Sequence, residues 1–172
     1  MPDHLGAFGA SVTTIPVGLG EIHVAKGEGH LVAYGLGSCI GVCGYDAKVR
    51  VGGMAHVMLP ESGRGSNGEL PGRYASDGVD NLIAALVERG AEASRLEFVL
   101  GGGAQMLVAP GISDRFNIGA RNEAMVTRIL RQKGMPIRGK RTGGQSGRTL
   151  TLDVATGKVT VKAVGDKELV TI

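Results

Sequence analysis

The chain has 172 residues, 42% of them hydrophobic, which suits one domain with a sizeable core. Its 19 Lys and Arg against 16 Asp and Glu leave a net charge of +3 without a dense basic run, and three Phe, three Tyr and no Trp offer few rings for base stacking, which argues against a dedicated nucleic-acid binder. No run reaches the ~18 uncharged apolar residues of a membrane span, and no basic region followed by an apolar core opens the chain, so the expectation is a cytoplasmic protein that is not membrane-embedded.

Residues 1–18 mix Gly, Pro, Ser and Thr without periodicity and are read as a flexible N-terminal arm ahead of one domain over residues 19–172. From Glu21 a strand pattern begins, with Ile22 and Val24 on one face. Apolar runs at 31–36, 39–45 and 49–59, separated by Gly37-Ser38 and by Asp46-Ala47-Lys48, have the spacing of an antiparallel meander. Residues 60–73 form a polar, Gly-rich loop long enough to lie over a site. A helix is predicted over 77–89, where Val79, Leu82, Ile83, Leu86 and Val87 recur at helical spacing, with Ser76 or Asp77 as cap and Gly90 as stop. A strand at 95–100 runs into Gly101-Gly102-Gly103, a second helix covers 118–133, and a hairpin around Thr156-Gly157 pairs 149–154 with 158–164. These elements predict an α/β (α+β) fold, a mainly antiparallel β meander or sandwich with helices packed on the sheet. Glycine, 30 of 172 residues against ~7% in average usage, falls in apolar runs without a fixed period and is read as tight turns and close backbone approaches.

Gly35-Leu36-Gly37-Ser38-Cys39 is a turn of small residues delivering a thiol to the start of an apolar strand. Such a turn can present backbone N–H groups, those of Gly37 and Ser38 among them, to a reacting oxygen beside the nucleophile. A cysteine needs a base, and His56, the one histidine embedded in an apolar run, is a candidate that would lower the Cys39 pKa. The plain alternative is that Cys39 is a small buried residue. Cys43 shares a strand face with Cys39, so Cys39, Cys43 and His56 could supply three zinc ligands, although no CxxC clamp is present and the expectation is no metal and no cofactor. His4, His23 and His30 read as solvated, Gly101-Gly102-Gly103 as a structural turn lacking a phosphate-loop pattern, and Arg148 as an exposed charge or anion contact.

The run Tyr34-Gly35-Leu36-Gly37-Ser38-Cys39-Ile40-Gly41-Val42-Cys43 followed by Gly52-Gly53-Met54-Ala55-His56-Val57-Met58-Leu59-Pro60 resembles the CheD family of chemoreceptor glutamine deamidases. Further matches are Gly102-Gly103-Ala104, Ile118-Gly119-Ala120-Arg121-Asn122, Gly143-Gly144-Gln145-Ser146-Gly147-Arg148 and Thr156-Gly157-Lys158-Val159, so the resemblance spans residues 19–164. It implies that Cys39 is the nucleophile and His56 its general base and acid, that the products are a receptor glutamate and ammonia, and that no cofactor takes part. The family's usual threonine six positions before the cysteine is here Ala33, so this third-member position lacks a side-chain hydrogen-bonding group, and a backbone carbonyl nearby could hold the imidazole instead. The implied partners are methyl-accepting chemotaxis receptors and a CheC-type phosphatase, with Arg64 and Arg73 as candidates for gripping a receptor helix. Ala33 also motivates the alternative of a weakly catalytic or non-catalytic adaptor.

Overall fold

The computed structural model describes residues 11–62, 70–111 and 116–172. Its strands are β1 (Thr14–Pro16), β2 (Ile22–Lys26), β3 (His30–Leu36), β4 (Ile40–Asp46), β5 (Val51–Val57), β6 (Glu97–Gly102), β7 (Ile137–Thr142), β8 (Arg148–Asp153), β9 (Val159–Ala163) and β10 (Val170–Thr171), with helices α1 (Ala75–Glu88) and α2 (Ile118–Gln132). Two five-stranded sheets form, in the orders β1-β3-β8-β9-β10 and β2-β5-β4-β6-β7. Pairing is antiparallel except for β1 with β3 and β6 with β7.

The second sheet is the middle layer, because its strands bury alternate residues on opposite faces. Ile40, Val42, Ala55, Val57, Phe98 and Leu100 pack with Val79, Leu82, Leu86, Val126 and Leu130 of the helices. Cys43, Met54 and Val99 turn the other way, onto Leu31, Ala33, Leu150 and Leu152 of the first sheet. Glycine lets the two sheets approach: a Cβ on Gly41 or on its cross-strand partner Gly101 would stand 2.6 or 2.7 Å from a Leu150 methyl.

Both helices stop for the same reason. Gly90 and Gly134 adopt φ of 113° and 68°, and the paired bonds Ala91 N–H to Leu86 and Gly90 N–H to Val87, repeated as Met135 to Leu130 and Gly134 to Arg131, close the last turns. The start of α1 differs from expectation. Neither Ser76 nor Asp77 caps it, because the N–H groups of Ala75 and Ser76 are met by the Leu59 and Pro60 carbonyls.

Two expectations need correction. β3 and β4 do not pair in a meander; they lie in different sheets, and residues 37–39 carry the chain across. The N-terminal arm does not extend to residue 18: Thr14–Pro16 already pairs with His30–Val32, and Val17, 2% exposed, donates to the Val32 carbonyl at 2.8 Å. Residues 1–10 of that arm lie outside the described residues, as do residues 63–69 of the 60–73 loop.

Candidate active site

The crossing at 37–39 is built by its neighbours. The β3–β8 register shifts between Ala33 and Leu36, and Gly35 within that irregularity has φ of 62°, which redirects the strand as it leaves its sheet. The carbonyls of Gly37 and Cys39 then accept from Ala104 and Gly103 N–H, each at 2.8 Å. Gly102 has φ of 106°, and a Cβ there would run into the Cys39 carbonyl oxygen. The three-glycine run is therefore a cradle for the 37–39 turn, as close to its backbone as glycine permits.

His56 is brought alongside by the adjacent strand. Gly41 of β4 stands opposite His56, and Ile40 opposite Val57, in the last two rungs of the ladder. Met54, two residues before His56, faces the first sheet, so by alternation the imidazole enters the same layer against whose edge Cys39 packs. Residues 17–21 wrap the histidine: Gly20 N–H bonds its carbonyl at 2.9 Å and its own N–H bonds the Glu21 carbonyl at 3.0 Å. Its ring Nδ1 lies 2.9 Å from the Val17 carbonyl oxygen. A carbonyl can only accept, so Nδ1 carries the hydrogen, and in the neutral ring Nε2 keeps its lone pair. The residue is 3% exposed, and Nε2 has no hydrogen-bond partner among the described residues. A general base needs such a nitrogen.

Ala33 is fully buried in the core between the sheets and offers no hydrogen bond to the imidazole. Val17, the residue after the rung that pairs Pro16 with Val32, lies beside it across the parallel pair and supplies the acceptor through its backbone.

Cys39 is half-buried, and its thiol is not lowered as the sequence reading expects. Burial pushes it above the ordinary 9.0, and only its own backbone N–H works in the other direction. With burial raising rather than lowering it, the Cys39 sulfur rests as the thiol. Burial pushes Cys43 up to about 12. That makes it an inert core residue. Among the described residues no three His, Cys, Asp or Glu side chains form a group that could hold a metal ion, which leaves the Cys39, Cys43 and His56 zinc alternative without a ligand set.

The remaining sequence candidates are scattered. Arg73 stacks 5.3 Å from the Tyr74 ring centre, and its carbonyl accepts from Met58 and Leu59 N–H, just past His56. Arg64 and His4 lie outside the described residues. His23 pairs with Glu21 at 2.9 Å, and His30 lies 3.9 Å from Asp153. Arg148 is half-buried rather than exposed and donates to the Gly102 carbonyl at 2.8 Å, bracing the cradle. Sequence reasoning assigned no role to Val17 or Asn122. The first acts through its backbone and leaves no side-chain signature. The second is a fully buried asparagine on the same helical stripe as Met125, Val126 and Ile129, a polar break in an apolar face that could have been noticed.

A family model described as CheD chemotactic sensory transduction matches residues 58–163. A protein of Symbiobacterium thermophilum named probable chemoreceptor glutamine deamidase CheD is 46% identical over 154 residues, 88% of this chain and 93% of that protein. The chain belongs to the CheD family. Another relative, the chemoreceptor glutamine deamidase CheD of Thermotoga maritima, is 41% identical over 152 residues, covering 88% of this chain and 93% of its own. An archaeal relative from Pyrococcus abyssi, named probable chemoreceptor glutamine deamidase CheD, is 42% identical over 150 residues, covering 87% and 91%. The family model's match begins after His56, so the Cys39 turn and His56 stand on geometry rather than on that model. Among the described residues no helix is long and apolar enough to cross a membrane.

Proposed function

We propose that the chain is a protein-glutamine deamidase of methyl-accepting chemotaxis receptors, with Cys39 as nucleophile and His56 as base and acid. The observation that carries this reading is the buried His56 ring, its Nδ1 fixed by the Val17 carbonyl and its Nε2 left open in the layer that Cys39 borders. In the first half-reaction Cys39 Sγ attacks the side-chain amide carbon of a receptor glutamine while Nε2 takes the thiol proton. The oxyanion is received by backbone N–H groups of the 37–39 turn. The C–N bond then breaks as His56 returns the proton to the departing nitrogen, releasing ammonia and leaving a thioester. In the second half-reaction a water gives its proton to His56 and its oxygen to the thioester carbon. Collapse frees the glutamate product and restores the thiol.

A macromolecular substrate fits the surroundings of the turn. Tyr34, Met106, Leu107 and Val108 are exposed apolar side chains, and Met106 lies against the Gly37 backbone, so an apolar lip flanks the nucleophile. A backbone acceptor for His56 in place of the missing Ala33 side chain supports turnover over a purely docking role. A CheC-type phosphatase is the second partner the family resemblance implies, and a cytoplasmic location accords with both. Incubation with a purified soluble receptor fragment, read by mass spectrometry, tests the reading: each event adds about one dalton and converts a neutral amide to an anion. Cys39→Ala should abolish the gain and Cys43→Ala should retain most of it. Equal loss in both variants would overturn the assignment of the nucleophile.

A further inference from the structure

Asn122 lies one turn into α2, three residues after Gly119, and is fully buried. The helix is seated close to the site because Gly119 packs on the Gly103 and Ala104 carbonyls, where a Cβ would collide with both. From there the Asn122 side-chain nitrogen donates to two carbonyls, Ser38 at 2.9 Å and Met58 at 3.0 Å. One belongs to the residue before Cys39 and the other lies two residues beyond His56. The ladder between the two strands ends at Ile40 and Val57; one step further on, the Cys39 carbonyl turns to Gly103 N–H and the Met58 N–H to the Arg73 carbonyl. The asparagine amide spans the gap where the strands part.

A trans peptide is planar, with its C=O and N–H pointing in opposite directions. Holding the Ser38 carbonyl therefore fixes the direction of the Cys39 N–H. We infer that Asn122 is a positioning residue of the deamidation: one amide, donating to the Ser38 and Met58 carbonyls, aims the Cys39 N–H at the oxyanion. The inference rests on the reading of Cys39 and His56 given above. Asn122 Oδ1 is itself buried without a partner among the described residues, a penalty that an apolar residue of similar size would avoid. What the apolar residue could not supply is two donors for two carbonyls.

Two variants, Asn122→Ala and Asn122→Asp, test this by two readouts on the full chain: ammonia release from a purified soluble receptor fragment, and iodoacetamide labelling of Cys39. Alkylation at sulfur forms no oxyanion, so it reports the thiol and His56 but not the aim of the N–H. Expected in both variants is a kcat lower by roughly 10²-fold, as for loss of one oxyanion donor, with KM and labelling rate within about threefold of wild type. For Asn122→Asp, activity relative to wild type should rise as pH falls, because a protonated carboxyl regains one donor. Deamidation and labelling falling in parallel would overturn the inference, as would a folded Asn122→Asp protein with wild-type kcat. Should Asn122→Ala fail to fold, the pH dependence of the Asn122→Asp ratio decides, and a flat ratio sinks the proposal. Failure of the underlying reading looks different: Cys39→Ala would then go on releasing ammonia.

Discussion

The two ends of β4 treat buried polar groups in opposite ways. At one end Asp46, with no exposed surface, accepts from Arg95 Nη2 at 2.8 Å, from Glu92 N–H at 2.9 Å and from Lys48 N–H at 3.0 Å. At the other end, where the chain enters β4 from Cys39, His56 Nε2 and Asn122 Oδ1 are buried with no partner among the described residues. A buried polar atom left open costs stability, on the order of 1–3 kcal/mol, so the Cys39 end gives up some of what the Asp46 end secures. The difference separates structure from function on a single strand. Where every acceptor is met, the strand is anchored; where polar atoms are left open at the Cys39 end, the proposed reaction has groups to use.

The sharpest way to break this comparison is at His56. Replacement by Asn keeps a polar side chain but removes the proposed base, so deamidation should fall by roughly 10²- to 10⁴-fold. Iodoacetamide labelling of Cys39 near neutral pH should fall as well. Because burial raises the Cys39 thiol, labelling of the wild-type protein should keep climbing as pH rises past 9.0, and at high pH the two proteins should converge. Undiminished labelling of the variant at neutral pH would show that Nε2 is not the proton acceptor.

The Asp46 end predicts the reverse pattern, a stability effect with no effect on turnover. Burial alone would raise the carboxyl, but hydrogen bonds from Arg95, Glu92 N–H and Lys48 N–H outweigh it and hold the group at about 2, below the ordinary 3.8. A depressed folded-state value means that the stabilisation, of order 2 kcal/mol, is complete above the unfolded value and is lost as pH falls from 3.8 toward 2. Asp46→Asn should cost about 2–3 kcal/mol at neutral pH, a fall in Tm of roughly 5–10 °C. In urea unfolding between neutral pH and pH 2.5 it should show a shallower loss of stability than wild type. Loss of kcat in parallel with Tm would mean that the two ends are not separable.

Much of this architecture is legible in the sequence where side chains carry it. The helical spacing of Val79, Leu82 and Leu86 and the alternation around Thr156-Gly157 both appear as real elements, and the Cys39 and His56 strands are neighbours, as types and spacing suggest. What escapes is what backbone or tertiary context decides. A hairpin and a crossing between sheets look alike at Gly37-Ser38, because the choice is made by Gly103 and Ala104, sixty-odd residues away in the chain. β7 is missed because an edge strand carrying Arg138, Lys140 and Arg141 has little apolar alternation to show. β1 is hidden by Pro16 and by its length of three residues. Without it the acceptor for His56 has no place in a sequence reading, since a carbonyl oxygen is common to every residue.

The smallest effect, and the finest test of that acceptor, belongs to Ala33→Thr. The substitution restores the family's usual residue beside a histidine that Val17 already holds at 2.9 Å. One further hydrogen bond nets about 0.5–1.5 kcal/mol, and only if the hydroxyl reaches a partner not already satisfied. Nδ1 has given its hydrogen to Val17, and Nε2 must stay free to act, so the imidazole has no second site for an orienting bond. The expected outcome is therefore a kcat within about threefold of wild type, with a Tm lower by roughly 2–4 °C for about 1 kcal/mol of buried, unpaired hydroxyl. A tenfold gain in kcat at unchanged Tm would show instead that the Val17 carbonyl orients His56 poorly. The Cys39 end of β4 would then be short of a hydrogen bond as well as of solvent.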